Sequence, residues 1–349
     1  MPEPLKNILI IKPSSLGDIV QALPALSALR TSFPDARIQW LVRTDFAPLI
    51  ENHPHLNGII LFDRKLLGKA WYHPRAFICL LSLIRRLRHS KFDAVIDLQG
   101  LFRTASLAWL SGCKNRLGVV DPRELAHVLY TNKIPHDQSC IHVVDYYLKV
   151  AQAAGAADLT VQFVLPQNTH AADSVKAKLT GRGVALDRYA VLVPGSAHAD
   201  KCWPIDRFAA LADRISTQFN LHIVAIGTES EKRTVETLND LANVPVADLA
   251  GQTSLPELTA LLRTAKLVVT NDTGPGHIAA ALGVPLVMIF GRVNPARLAP
   301  YGRSNCVVAI NPYSRGLAIK NPDPSYDIKN ITLDQVFQKL CEQIRPSSP

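Results

Sequence analysis

The stretch IIKPSSLGDIVQALPALSAL, residues Ile10 to Leu29, decides what fold to expect of the rest of the chain. An apolar run ends at Lys12, a short polar turn follows, and apolar residues then recur at helical spacing. The segment reads as a strand, a tight turn and an amphipathic helix. Nucleotide-binding folds hold phosphate with the N–H groups that such a turn presents. Here the turn carries Asp18, and a carboxylate repels phosphate. Either Asp18 caps the helix, or the loop faces a substrate from which a proton is removed.

Outward from this unit, strand-like and helical patterns alternate. NILII, RIQWLV, GIILF, DAVIDL and RLGVV read as strands, with helices over about Ile19–Thr31, His73–His89, FRTASLAWL and Val143–Ala154 between and after them. Charged turns occupy Asp121–Gln138, and a weak strand, VQFVL, ends at Pro166. The pattern then restarts: YAVLVP, HIVAIG, KLVVTND and PLVMIF alternate with helices near Pro204, from Glu229, at TSLPELTALLR and at GPGHIAAALG. Such alternation predicts parallel sheets covered by helices. The 349 residues, 48% of them apolar, supply two cores. The expectation is α/β, with two doubly wound, Rossmann-like domains at 1–166 and 167–330 and ligands at the strand carboxyl ends. A last helix, about Leu333–Ile344 within 331–349, is expected to pack back on the first domain.

The formal net charge is +9. Residues 1–150 hold 19 Lys and Arg against 12 Asp and Glu, so the first half carries most of the excess. Arg64–Phe92 contains eight Lys and Arg and no acid. Arg85, Arg86 and Arg88 read as the solvated face of a helix, whereas Arg64, Lys65 and Lys69 lie beside aromatics in a loop and suit an anionic partner. No RNA-binding signature accompanies the basic segment, so nucleic acid is not expected. No apolar run reaches the roughly 18 residues of a spanning helix, and Lys6 leads straight into NILII. The expected setting is therefore cytoplasmic. The six cysteines are scattered without CxxC pairs, which argues for free thiols over zinc or disulfides.

The second half has the better anion site. In VVTNDTGPGHIAAALG a strand runs into Asp272-Thr273-Gly274, and the next helix aims its first N–H groups at that loop. His277 in its first turn is placed to donate to a phosphate oxygen, although a lone histidine there is also an ordinary structural residue. In VPGSAHADKCWP, Ser196 offers a hydroxyl and Lys201 a charge suited to a leaving diphosphate. Sharper-looking motifs fail: Asp272-Thr273-Gly274 occurs once, while aspartic-protease chemistry needs two carboxylates. GRGVAL at Gly181 lacks the third glycine of a dinucleotide fingerprint. No acidic pair of the kind that clamps a metal on a diphosphate is visible.

IKPSSLGDIVQALPAL, VIDLQG, DKCWP and TNDTGPGHIAAALGVP stand in the order and spacing of the ADP-heptose heptosyltransferases, glycosyltransferase family 9, and the resemblance runs from about Ile8 to Gly302. The basic loop RKLLGKAW is most similar to the heptosyltransferase I branch, which adds the first heptose to a Kdo-bearing lipid A. The resemblance implies a GT-B architecture, two Rossmann-like domains facing across a cleft, with acceptor bound by the first and donor by the second. It also implies inversion at the sugar carbon and no metal or other cofactor.

Position by position, the resemblance makes Asp18 the general base and Lys201 the contact to donor phosphate and sugar. Asp272 becomes the acid that binds heptose hydroxyls, and Thr273, Gly274 and His277 the diphosphate turn. Ser196 matches a donor-loop hydroxyl, Glu231 the acid at the ribose, and Thr253, Ser254 and Leu255 the segment beside adenine. Arg64, Lys65, Lys69, Arg123 and, in VIDLQG, Gln99 fall to the anionic acceptor. The chain departs from the branch at Ser196 and Ala197, where the branch carries two threonines, so that one donor hydroxyl is missing. It departs again in the basic loop, where Gly68 replaces an arginine and the loop carries a one-residue slip. The implied partners are ADP-heptose and a Kdo-lipid A type glycolipid, met by an enzyme that visits the inner face of the cytoplasmic membrane. The alternatives are a family member with another acceptor, such as a second core heptose, a protein or another glycolipid, and a nucleotide-sugar binder without turnover.

Overall fold

The computed structural model describes residues 5–119, 124–135, 141–316 and 318–344; Arg123, expected at the acceptor, lies outside them. Contacts divide the chain into two units, Met1–Pro166 and Gln167–Pro349.

The first unit runs β1 (Asn7–Ile11), α1 (Leu16–Ser32), β2 (Arg37–Arg43), α2 (Ala47–Ile50), β3 (Gly58–Phe62), α3 (Arg64–Leu67), α4 (Pro74–His89), β4 (Ala94–Asp97), α5 (Phe102–Leu110), β5 (Arg116–Val119), β6 (Asn132–Ile134) and α6 (Val143–Ala153). Its six strands are parallel, in the order β3-β2-β1-β4-β5-β6, with Ile10 opposite both Trp40 and Ile96. Strands buried on both faces read as continuous apolar runs, as Ile8–Ile11 does. The helix α1 departs from the amphipathic expectation. It packs against α6 and is buried on almost every side from Ile19 to Leu29.

The sixth strand is also a correction. VQFVL belongs to no strand; the ladder ends instead with β6, inside the charged stretch. Side chains replace the ladder for VQFVL: Ser27 Oγ donates to the Gln162 carbonyl at 3.2 Å, and His53 Nε2 lies 2.9 Å from that of Val164.

The second unit runs α7 (Thr169–Thr180), β7 (Tyr189–Val193), α8 (Ile205–Phe219), β8 (His222–Ala225), α9 (Lys232–Leu241), β9 (Val246–Asp248), α10 (Leu255–Thr264), β10 (Leu267–Asn271), α11 (Gly274–Ala281), β11 (Leu286–Ile289), α12 (Pro295–Leu298), β12 (Val307–Val308) and α13 (Leu333–Ile344). Its sheet repeats the winding, in the order β12-β11-β10-β7-β8-β9. In each unit the chain winds outward in one direction and then returns beside its first strand. The switch points are therefore β1/β4 and β7/β10, where doubly wound sheets bind ligands. The helix α13, expected on the first domain, packs on the second unit against β11, α8 and β12. Its apolar stripe explains this, since Val336 and Leu340 complete the core formed by Leu192, Phe208 and Ile289.

Candidate active site

At the first switch point Lys12 directly follows β1 and is only 3% exposed. Its Nζ crosses to β4, donating to the Leu98 carbonyl at 3.2 Å, and lies 5.0 Å from the centre of the Tyr147 ring. Burial pulls the ammonium down, but the negative charges of Asp18 and Asp97 and the Tyr147 hydroxyl outweigh it and raise its pKa. Burial in turn pushes Tyr147 up to about 12. Asp97 is fully buried; its Oδ2 accepts from Tyr130 Oη at 2.7 Å, and its Oδ1 from the N–H groups of Gln99 and Gly100 at 2.8 and 3.3 Å. Burial nonetheless raises its carboxyl pKa.

Asp18 lies half-buried in the first turn of α1, where its Oδ2 accepts from the Ser15 N–H at 2.9 Å and from Ser15 Oγ at 2.8 Å. The cap reading of Asp18 is thus realised: Ser15 and Asp18 form a capping box. Gln99 follows β4, and its Oε1 is buried with no hydrogen-bond partner among the described residues. Gly100 needs its glycine, because at φ +73° a Cβ would come within 2.3 Å of Val119 Cγ2. Arg64, Lys65 and Lys69 stand exposed just past the edge strand β3, in and after α3, which Asp63 caps through the Leu66 N–H. They share the carboxyl end of the sheet with Asp18.

At the second switch point Asp272 follows β10 and is 8% exposed. Lys201 Nζ donates to its Oδ2 at 2.6 Å, and His277 Nε2 lies 3.7 Å from Oδ1. Burial works to raise the Asp272 pKa, but His277 and Lys201 overcome it and hold the carboxyl below its usual range. Gly276 allows α11 to lie on the sheet, since a Cβ there would meet Thr270 Cγ2 at 2.7 Å. Thr273 precedes Gly274 at the helix start, its Oγ1 2.8 Å from that of Thr270. The loop after β7 holds Ser196, whose Oγ accepts from the His198 N–H at 3.4 Å.

Glu231, after β8, caps its own turn by accepting from the Thr228 N–H at 2.6 Å, and it abuts the neighbouring loop: a Cβ on Gly195 would lie 2.5 Å from its Cδ. Thr253, Ser254 and Leu255 open α10 after β9, where Ser254 and Glu257 form another capping box. The structure therefore brings Lys201, Asp272 and His277 into contact. Ser196, Glu231 and Thr253–Leu255 line successive strand ends of the same sheet.

Two residues escaped the sequence reading. Asn271, fully buried, donates to the Pro194 carbonyl at 2.8 Å and accepts the Trp203 N–H at 3.0 Å, so one side chain ties the loops after β7 and β10 together. Lys12 was the other; its place directly after a buried strand was the available signal. Cys79, Cys113, Cys202, Cys306 and Cys341 are free thiols.

Comparison with known proteins agrees with this architecture. The model of glycosyltransferase family 9 (heptosyltransferase) matches residues 80–324, more than half of the chain. Lipopolysaccharide core heptosyltransferase OpsX of Haemophilus influenzae is 27% identical over 87% of this chain and 84% of its own. Lipopolysaccharide heptosyltransferase 1 of Salmonella typhimurium is 25% identical over 96% and 99%. Among solved structures, a family 9 glycosyltransferase from Veillonella parvula shares the fold with a TM-score of 0.83 at 23% identity, covering 97% of both chains. The Escherichia coli heptosyltransferase WaaC with ADP gives 0.76 at 25% identity, covering 97% and 99%. With two doubly wound units of the GT-B class and a family model that matches most of its length, the chain belongs to glycosyltransferase family 9, and the enzyme is a heptosyltransferase.

Proposed function

We propose that this enzyme transfers heptose from ADP-heptose to the Kdo of a Kdo-lipid A type acceptor in the lipopolysaccharide inner core, with inversion and without a metal. The observation that carries the reading is Asp18, a carboxylate held by its capping bonds at the first switch point, whose charge is felt by the buried Lys12 ammonium. Asp18 takes the proton of the acceptor hydroxyl as that oxygen bonds to the anomeric carbon. The bond from that carbon to the diphosphate oxygen breaks, and ADP leaves with the electron pair. Attack from the face opposite the diphosphate inverts the centre.

In the second unit Asp272 receives heptose hydroxyls, and Lys201 turns its charge to the diphosphate at the start of α11 beside Thr273, Gly274 and His277. Ser196 lies along the donor, Glu231 at the ribose and Thr253–Leu255 beside adenine. Gln99, Arg64, Lys65, Lys69 and Arg123 serve the anionic acceptor. Support for ADP-heptose comes from the WaaC structures, solved with ADP and with ADP-2-deoxy-2-fluoro heptose. Because the acceptor is a membrane lipid, the enzyme works at the cytoplasmic face of the inner membrane.

The test is transfer by Asp18→Asn, which keeps an oxygen for the cap. Turnover should fall by about 10²–10⁴-fold, with ADP-heptose affinity retained. Turnover within a few fold of wild type removes Asp18 as the base. A second reading, transfer to a later core position, draws on the comparable similarity to lipopolysaccharide heptosyltransferase 3 of E. coli. A panel of acceptors with and without the first heptose separates the two.

A further inference from the structure

The helix α4 carries more apolar surface than the fold uses. Ala76, Leu83 and Leu87, spaced by about two turns and then one, form the stripe that faces the core. Phe77, Ile78 and Leu81 lie on a different arc of the same helix and stay exposed, Ile78 at 65%. Just before them Trp71, 85% exposed, and Tyr72 pack edge to face with ring centres 4.7 Å apart. Five large apolar side chains within eleven residues thus form a surface feature that monomeric proteins seldom display without a use. A merely solubilising helix face would not carry them.

The surrounding charge is of one sign. Arg64, Lys65 and Lys69 are exposed on the approach to α4 and Arg75 in its first turn, and none enters an ion pair among the described residues. Arg85 and Arg88 continue the Leu81 stripe one and two turns further on. Arg88 donates to the Leu110 carbonyl and Arg86 to that of Ile59, contacts that leave both charges unneutralised. No helix of the described residues is long and apolar enough to cross a membrane. Apolar and aromatic groups flanked by cations, with no acid from Arg64 to Phe92, match the interface of an anionic bilayer.

We propose that α4 and the loop before it dock the enzyme on an anionic lipid surface, with Phe77, Ile78, Leu81 and Trp71 entering the headgroup region and the arginines and lysines lying on its phosphates. The inference deepens the proposed function by naming the surface through which the enzyme would reach a lipid-linked acceptor. The single-sign charge favours a bilayer over a second copy of the chain, which would bring like charges together.

The experiment is flotation of the whole protein with vesicles of one-third phosphatidylglycerol in phosphatidylethanolamine, beside vesicles of phosphatidylcholine alone. The wild type should bind the anionic vesicles, with a blue shift of tryptophan emission that Trp71→Phe diminishes. Raising salt from about 0.15 M to about 0.5 M, which shortens the screening length, should weaken binding. The triple variant Phe77→Ser, Ile78→Ser, Leu81→Ser should lose binding at least tenfold, while its ADP-heptose affinity and its turnover of a soluble, de-acylated acceptor stay at wild-type values. Each Arg75→Ser or Arg85→Ser change should cost about fivefold.

Equal binding to both vesicle types, or undiminished binding by the triple variant, overturns the proposal. So does a triple variant that changes only the sedimentation of the protein, since the face would then join two copies. Failure of the wild type to bind ADP-heptose would strike the proposed function and leave vesicle binding standing.

Discussion

Two hydrogen bonds from Ser15 reach the same oxygen of Asp18. A cap and a base are therefore compatible uses of one carboxylate, because the bonds that close the helix start also hold the group still. From sequence the two looked like rivals. Lys12 was missed, since a lysine beside a proline reads as surface, and its place directly after an apolar strand was the one signal against that. Only the return of the chain to place β4 beside β1 buries it. Replacing Lys12 by Met keeps the bulk of the side chain and removes the buried ammonium on which the charges of Asp18 and Asp97 act. Stability should drop by roughly 1.5–3 kcal/mol, the scale for a hydrogen bond from a charged group such as that to the Leu98 carbonyl, as read from urea unfolding. Turnover should fall with it. Asn271 was hidden for the same reason, because its bonds to Pro194 and Trp203 exist only once β10 lies beside β7.

Continuous apolar runs such as NILII and YAVLV were legible as strands because both faces of a parallel sheet are covered. Strand β6, NKI, was not legible, since an edge strand of three residues carries almost no pattern, and VQFVL had the pattern without the partner. What holds VQFVL is titratable. The neutral His53 ring suits both its bonds: Nε2–H donates to the Val164 carbonyl, while Nδ1 accepts the His55 N–H at 3.1 Å. Burial lowers its pKa from 6.5 to about 4. The folded protein thus resists a proton that the unfolded chain accepts, so this contribution is complete above pH 6.5 and is lost as the pH falls toward 4. The loss amounts to roughly 3 kcal/mol at most. Unfolding measured across that range should show the decline in wild type and a flatter profile in His53→Gln. In α13, whose amphipathic stripe was legible but whose partner was not, Leu340→Ala should cost about 2–5 kcal/mol in the same assay.

Each unit has its own sheet and core, built on Leu9, Leu41 and Val95 in the first and on Leu192, Phe208 and Val269 in the second. Calorimetry should accordingly resolve two transitions. ADP-heptose at a hundredfold excess over its Kd should stabilise the second unit by about 2.7 kcal/mol and leave the first where it was; a shift of the first transition alone would place the donor in the wrong unit. Asp272→Asn should abolish the shift.

The placement of α13 on the second unit has a consequence for biosynthesis. Had that helix completed the first unit, folding of the first unit would have waited for the synthesis of α13. Instead, everything the first core needs lies before Pro166, and all its strands are made early. At typical rates of synthesis the ribosome needs roughly 10–40 s to go from Pro166 to the end of α13. Once the chain made after Pro166 has pushed it clear of the exit tunnel, the amino-terminal unit, α4 included, stands as a tethered protein in its own right for the rest of that interval.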